Sequence, residues 1–305
     1  MIKKYKNSCV TWVDVYNPTS EDIRSLMDEY QINLDVAREL QLPTYKEKII
    51  TYKDHLYLVL HFPVLRHSHN KNSYEQEIDL VVGKDFIITT RYENIDALDK
   101  FTKTFELDNI LKKGLMGSGS GCVLYYMIKE LYNAMSDELD SLHDNLKQIE
   151  KNIFKGKEKE MVTEISKINR ELISFNHIIL THKDILNSLK NDGSKMFGQE
   201  FSEHLSKIIN EYHRIEKNLI NDIDFLRELR NTNDSLLSSK QNSTMKVLTV
   251  ITFLALPFSI ITGFFQMNTT NTPIVGDIND WQIIISMELT AVILAFVFVK
   301  IKKWI

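Results

Sequence analysis

Apolar residues change their spacing along this chain, and each change marks a different kind of element. Near the start the runs are short and alternate. Residues 10–15, Val-Thr-Trp-Val-Asp-Val, read as a strand, and the polar run 17–22 supplies a turn and a helix N-cap. Residues 48–52 and 56–62 read as two strands around a Lys53-Asp54-His55 turn. Residues 77–82 and 86–91 form a second such pair around Gly83-Lys84-Asp85, and helices follow Asn94. The pattern predicts an α/β domain over 1–115.

The spacing then turns helical. Leu124, Ile128, Leu131, Met135, Leu139, Leu142, Leu146 and Ile149 recur three or four apart, and Lys155-Gly156-Lys157 breaks the run. A second helix is expected from Glu158 to about Leu189, stopping at Asn191-Asp192-Gly193-Ser194, so that 116–199 forms a helical hairpin. A third begins near Glu200, with Leu205, Ile208, Tyr212, Ile215, Leu219, Ile223, Leu226 and Leu229 on one stripe. It meets no proline before Pro257 and no glycine before Gly263. Unbroken over 200–265, it would be roughly 100 Å long, too long for one globular core. That length predicts a stalk over 200–246, packed on the two preceding helices and on copies of itself.

Two stretches at the C-terminal end are far more apolar than the rest. Residues 247–265 carry no charge, and 281–299 carry only Glu288. Each is about long enough to cross a hydrocarbon core of roughly 30 Å. The connection 266–280 holds Asp277 and Asp280 but no lysine or arginine, whereas Lys240, Lys246, Lys300, Lys302 and Lys303 lie at the other ends. By the positive-inside bias, the loop is extracytoplasmic, and the basic tail 300–305 lies with the N-terminus in the cytoplasm of a cell (inner) membrane protein. Trp281 and Trp304 fall at the two ends of the second span, where interfacial indoles belong.

Composition narrows the function. A formal charge of −4 over 305 residues offers no global basic field for nucleic acid. A mean hydropathy of −0.21 averages a charged front and an apolar end. The polar start, 1–6, predicts no signal peptide. Cys9 and Cys122 have no CxxC pair and no companion histidine spacing, so neither a disulfide framework nor a structural zinc site is expected. The glycine-rich run 114–121 lacks the lysine of a phosphate loop and reads as a linker. No nucleophile–base pairing and no HExxH is present, which argues against an enzyme. His61, His67 and His69 read as a strand end and a polar turn rather than a metal cluster.

Two spans per chain leave little room for a path within one subunit, so a pore needs several copies around an axis. On the first span, Asn242, Met245, Thr249, Thr252, Leu256, Ser259 and Gly263 share one face, with Leu248 near its edge. That face alternates amides and hydroxyls, which suit a hydrated ion, with apolar groups that close by dewetting. Ordinary helix packing, with Ser and Thr bonded back to the backbone, accounts for the periodicity equally well.

The run Asn242-Ser243-Thr244-Met245-Lys246-Val247-Leu248-Thr249, then Pro257, then Gly263-Phe264-Phe265-Gln266-Met267-Asn268 resembles the CorA family of magnesium and cobalt transporters. That family carries an N-x-x-MK-x-LT run, a mid-span proline and a Gly-Met-Asn signature at the outer end of its first span. Lys302-Lys303-Trp304-Ile305 also resembles its lysine-rich tail. The likeness is residue by residue over about 226–305 and architectural before that. It implies an α+β membrane protein forming a homopentameric funnel in the lipid bilayer. The first span lines the pore and the second surrounds it. Met267 and Asn268 match the last two signature residues and, with Gln266, make the implied selectivity filter. Asn242 matches the asparagine at the pore's inner end, and Leu248 and Leu256 fall where the family places hydrophobic constrictions.

The implied cargo is hydrated Mg²⁺, with Co²⁺ and Ni²⁺ as further divalent ions. Mg²⁺ sheds its waters reluctantly, and a ring of neutral amides holds those waters without stripping them. In the family, Mg²⁺ between cytoplasmic domains also holds the channel shut, which needs facing carboxylates. Asp54, Asp79 and Glu203 are the named regulatory choices here, from a wider set that includes Asp85, Glu200 and Glu211. No other cofactor is implied. Gln266 stands where the signature has glycine. It either adds a second amide ring, turns away, or weakens transport. Glu288 is either a functional acid within the span or, in its outer third, a group that is protonated or bonded to the loop. A zinc transporter of the same superfamily and a non-conducting membrane-anchored scaffold remain as alternatives.

Overall fold

The computed structural model describes residues 1–7, 9–63, 75–111, 119–267, 274 and 279–302. These fall into two compact units, Met1–Arg230 and Asn231–Ile305. The first unit opens with β1 (Ile2–Lys6), β2 (Thr11–Tyr16), α1 (Ser20–Tyr30), α2 (Leu34–Glu39), β3 (Lys48–Thr51), β4 (His55–Pro63), β5 (Glu75–Gly83) and β6 (Phe86–Arg91). The strands form one sheet in the order β1-β2-β6-β5-β4-β3. Only the β2–β6 pair is parallel, with Thr11 opposite Phe86 and Tyr16 opposite Arg91. The chain must cross from β2 to β6 at mid-sheet, and α1, α2 and the β3–β5 meander fill that crossover.

Both faces of the sheet are covered, which is why β4 is buried along its whole length and β5 along all but its first residue. On one face Val13, Val15, Tyr57, Val59, Val81 and Ile88 meet Ile23 and Leu26 of α1, Val36 and Ala37 of α2, and Leu40 at the end of α2. On the other, Trp12 packs edge-on against Phe101 and Phe105 of α3 (Asp96–Leu111), with ring centroids 5.2 and 5.7 Å apart. Its indole N–H donates to Thr89 Oγ1 at 3.0 Å, and Thr89 in turn donates to Asp14 at 2.8 Å. Arg91 closes this buried network by donating to Asp14 Oδ2 at 2.9 Å, so the ion pair keeps its hydrogen bonds despite burial. Asn17 leaves β2 at φ 47°, and α1 then starts on a capping box between Thr19 and Asp22.

Three long helices follow: α4 (Ser120–Phe154), α5 (Glu158–Phe197) and α6 (Gln199–Phe265). All eight expected apolar positions of α4 are buried. The Lys155–Lys157 break is real, with Gly156 at φ 85°. The break after α5 differs from expectation. The helix runs through Asn191–Ser194 and stops only at Gly198, φ 91° and ψ 177°. A side chain at Gly193 would meet the Phe201 ring, its Cβ 2.4 Å from Cε1. Gly193 therefore serves close packing, and Gly198 makes the turn. The strand β1 was also not anticipated, because its Ile-Lys-Lys-Tyr-Lys edge is mostly polar. Within the first unit α6 buries Phe201, Leu205, Ile208, Tyr212, Ile215, Leu219, Leu226 and Leu229. Ile223 is only half-buried, and Asp222 takes the inward place, 2.7 Å from His143 Nδ1.

The second unit holds the rest of α6 and α7 (Asp280–Ile301). Both helices are long and apolar enough to cross a membrane, and their apolar windows are almost wholly uncovered by protein.

Candidate functional site

The apolar part of α6 has two opposed faces. Its least exposed positions are Val250, Leu254, Pro257, Ile261, Thr262 and Phe265. On α7 the corresponding stripe is Ile284, Glu288, Ala291, Val292, Ala295 and Val299. Thr262 Oγ1, 2.7 Å from Glu288 Oε1, ties these stripes together, and beside them the rings of Phe253 and Phe298 are 5.8 Å apart. Asn242, Met245, Thr249, Thr252, Leu256, Ser259 and Gly263 are all exposed. At about 100° per residue, the mean direction of this set lies roughly 160° from the stripe that α7 covers. Leu248, also exposed, sits at its edge. The polar stripe thus faces away from the partner helix within the chain, and a Cβ built on Gly263 meets nothing within 4 Å.

The hydroxyls on this face have a defined polarity. Thr249 donates to Met245 O at 2.8 Å, Thr252 to Leu248 O at 2.9 Å and Ser259 to Ala255 O at 3.3 Å. Each hydroxyl has one proton, and the backbone takes it. What points outward is the oxygen lone pairs. The back-bonding that helix packing predicts therefore leaves a row of acceptors, and acceptors are what the outward hydrogens of a cation's water shell require.

At its C-terminal end the helix stops at Phe265, yet Gln266 N still donates to Thr262 O at 3.0 Å and Met267 N reaches Phe264 O at 3.4 Å. The non-glycine residues with positive φ among those described are Asn17, Gln31 and Ile274. Gln266 is not one of them, so replacing the signature glycine brings no left-handed strain at this position. Gln266 and Met267 are exposed. Asn268 lies outside the described residues, as do Asp277, Lys303, Trp304, His67 and His69.

The CorA-like Mg²⁺ transporter family matches residues 7–303 of this sequence. The chain belongs to that family. It is 21% identical over 295 residues to the cobalt/magnesium transport protein CorA of Methanocaldococcus jannaschii, covering 94% of this chain and 89% of that protein. The zinc transport protein ZntB of Yersinia pseudotuberculosis is 22% identical over 72% of this chain and 69% of its own length. The solved CorA magnesium transporter of M. jannaschii superposes with a TM-score of 0.83 at 18% identity, covering 99% of this chain and 93% of that one. The fold is therefore that of a full CorA chain, with an N-terminal α/β domain, a long helix and two apolar C-terminal helices.

The acids expected to regulate such a transporter sit in different surroundings. Asp54 is exposed in the β3–β4 turn and Glu203 is exposed near the start of α6. Asp79 requires a correction. It is fully buried in β5, accepts hydrogen bonds from Thr90 at 3.1 Å and Tyr92 at 3.2 Å, and presents nothing to a neighbour. Burial, then the charge of Glu77, pushes its carboxyl well above the usual range.

His61 lies near the end of β4, as the sequence pattern expects, and is buried there. It sits beside Glu47 and Glu77, with Nε2 2.9 Å from Thr44 O. Burial opposes its charge, but the hydrogen bond and charge of Glu77, with Glu47 behind them, hold its imidazole above the ordinary value. His182 joins from α5: Nε2 donates to His61 O at 2.8 Å, and Tyr132 OH pairs with Nδ1 at 2.7 Å. Sequence reasoning missed this network, since its members come from α4, α5, β4, β5 and a loop. His61, set within the mostly apolar run 56–62, was the available signal.

Proposed function

We propose that the chain is one subunit of a homopentameric channel that passes hydrated Mg²⁺ across the cytoplasmic membrane, with both termini in the cytoplasm. Co²⁺ and Ni²⁺ are further cargoes. One observation carries this reading: the acceptor-bearing stripe of α6 lies opposite the face occupied by α7. Copies of α6 that turn this stripe inward enclose a path of oxygen acceptors separated by the apolar rings of Met245, Leu248 and Leu256. The acceptors hold the ion's waters, and the apolar rings close by dewetting. Gln266, Met267 and Asn268 form the outer filter, with Gln266 adding an amide ring to that of Asn268. Intracellular Mg²⁺ closes the channel by binding the closed state in preference to the open one, and the exposed Asp54 and Glu203 are its proposed ligands.

The likeness to a zinc transport protein supports a second reading, in which Zn²⁺ is the preferred ion. Uptake into liposomes containing the purified full-length protein separates the two. The Mg²⁺ reading expects Mg²⁺ influx that excess Zn²⁺ does not abolish, lost at least about tenfold in Asn268→Ala, where the amide ring is gone. Gln266→Gly is expected to keep influx but shift ion preference. Zn²⁺ influx without Mg²⁺ influx supports the second reading. No flux of either ion contradicts both.

A further inference from the structure

Cys122 appears in the sequence without a neighbouring metal-ligand pattern, and no zinc site was expected from it. The fold supplies one from a distance. Cys122 lies in the first turn of α4, and Glu200 and His204 lie four residues apart in the first two turns of α6, on one face of that helix. One ligand atom from each of the three lies within 4.8 Å of the other two. The start of α4 packs on the junction between α5 and α6, which brings them together. Gly121 has room for no Cβ, which would sit 2.8 Å from Phe197 and 3.2 Å from Phe201.

The histidine is prepared for a ligand. Its ring stacks on Tyr125, centroids 4.6 Å apart and planes 19° apart, which fixes its orientation. Its Nδ1 is shut off from solvent and has no hydrogen-bond partner among the described residues. Buried ring nitrogens are ordinarily satisfied, so an unpartnered one on a histidine grouped with a thiol and a carboxylate asks for an explanation. Cys122 is a free, partly buried thiol, and Glu200 is exposed, which opens the group to solvent on one side.

We propose that Cys122, Glu200 and His204 form a binding site for one Zn²⁺-class transition-metal ion within the first unit. Thiolate and carboxylate charges balance a divalent cation, and the thiolate and imidazole select Zn²⁺ or Co²⁺ over Mg²⁺, which takes oxygen ligands in octahedral array. Metal–ligand bonds of about 2.0–2.3 Å need the three atoms drawn in by roughly 1 Å, within reach of the flexible Glu200 side chain. Water takes the fourth tetrahedral position. The bound ion clips the first turns of α6 to the first turn of α4. This site involves none of the residues proposed to line the pore, and it stands whichever ion the pore carries.

The test is Co²⁺ titration of the full-length protein in detergent with Mg²⁺ in large excess, read by the near-ultraviolet thiolate-to-cobalt charge-transfer band. Ions bound in the pore give no such band, because no cysteine is there. The expected result is a band that saturates at one Co²⁺ per chain and is removed by Zn²⁺. Cys122→Ser abolishes it and Cys9→Ser leaves it intact. Glu200→Gln, an exposed change that leaves folding alone, weakens Co²⁺ binding at least about tenfold. Absence of the band on protein whose Cys122 still reacts with a thiol reagent overturns the proposal. So does a band lost in Cys9→Ser, or one whose affinity is unchanged in Glu200→Gln.

Discussion

Single side chains in this protein behave according to what their neighbours leave available. Thr249, Thr252 and Ser259 give their protons to the backbone and so present acceptors. His61 and Asp79 both bind a proton more tightly in the folded chain than in the unfolded one, for different reasons. Burial and Glu77 raise Asp79, while Glu77 and Glu47 raise His61 against the opposing effect of burial. Groups whose folded pKa is raised contribute stability below their unfolded values and lose it as pH rises through the folded ones. Stability is therefore expected to fall with rising pH, starting from about 3.9 for Asp79 and about 6.5 for His61. Urea unfolding of the full chain by circular dichroism across this range checks the sign. His61→Gln should flatten the decline above about pH 6.5, and a midpoint that rises with pH would contradict the account.

Elements were legible where one rule dominated. The α4 stripe, the Gly156 break and the two apolar spans follow directly from spacing and composition. β4, β5 and β6 were legible too, because β-branched and aliphatic segments bracket the turns at 53–55 and 83–85. β1 was not, because an edge strand takes its place from pairing with β2 and not from its own side chains. The α5 stop was misplaced because two glycines close in sequence do different work. Gly193 admits Phe201, and Gly198 holds a backbone region open almost solely to glycine. Gly198→Ala is accordingly expected to destabilise the fold by about 1–3 kcal/mol. A denaturation midpoint unchanged from the parent would show that the turn relaxes without strain. Glu288, which the sequence left unexplained, finds its place at the α6–α7 contact through Thr262. Only the pairing of the two helices could reveal that partner.

At the scale of the whole molecule, family and architecture were readable from a short signature and the order of the parts, and the fold of a full CorA chain agrees. Clusters assembled from distant segments were not readable. Cys122, Glu200 and His204 meet only because α4 and α6 start side by side, and Asp79 looked like a surface acid until the sheet enclosed it. The pore is the further step, from one chain to several. Its central claim is that the α6 face opposite α7 lines water. Single cysteines placed at Thr249, Thr252, Leu256 and Ser259, and separately at Val250, Leu254 and Ile261, test it in reconstituted protein lacking Cys9 and Cys122. With internal Mg²⁺ removed, a charged thiol reagent is expected to react with the first set and block Mg²⁺ influx, leaving the second set untouched. Reaction at the second set, or none at the first while influx persists, would contradict the account.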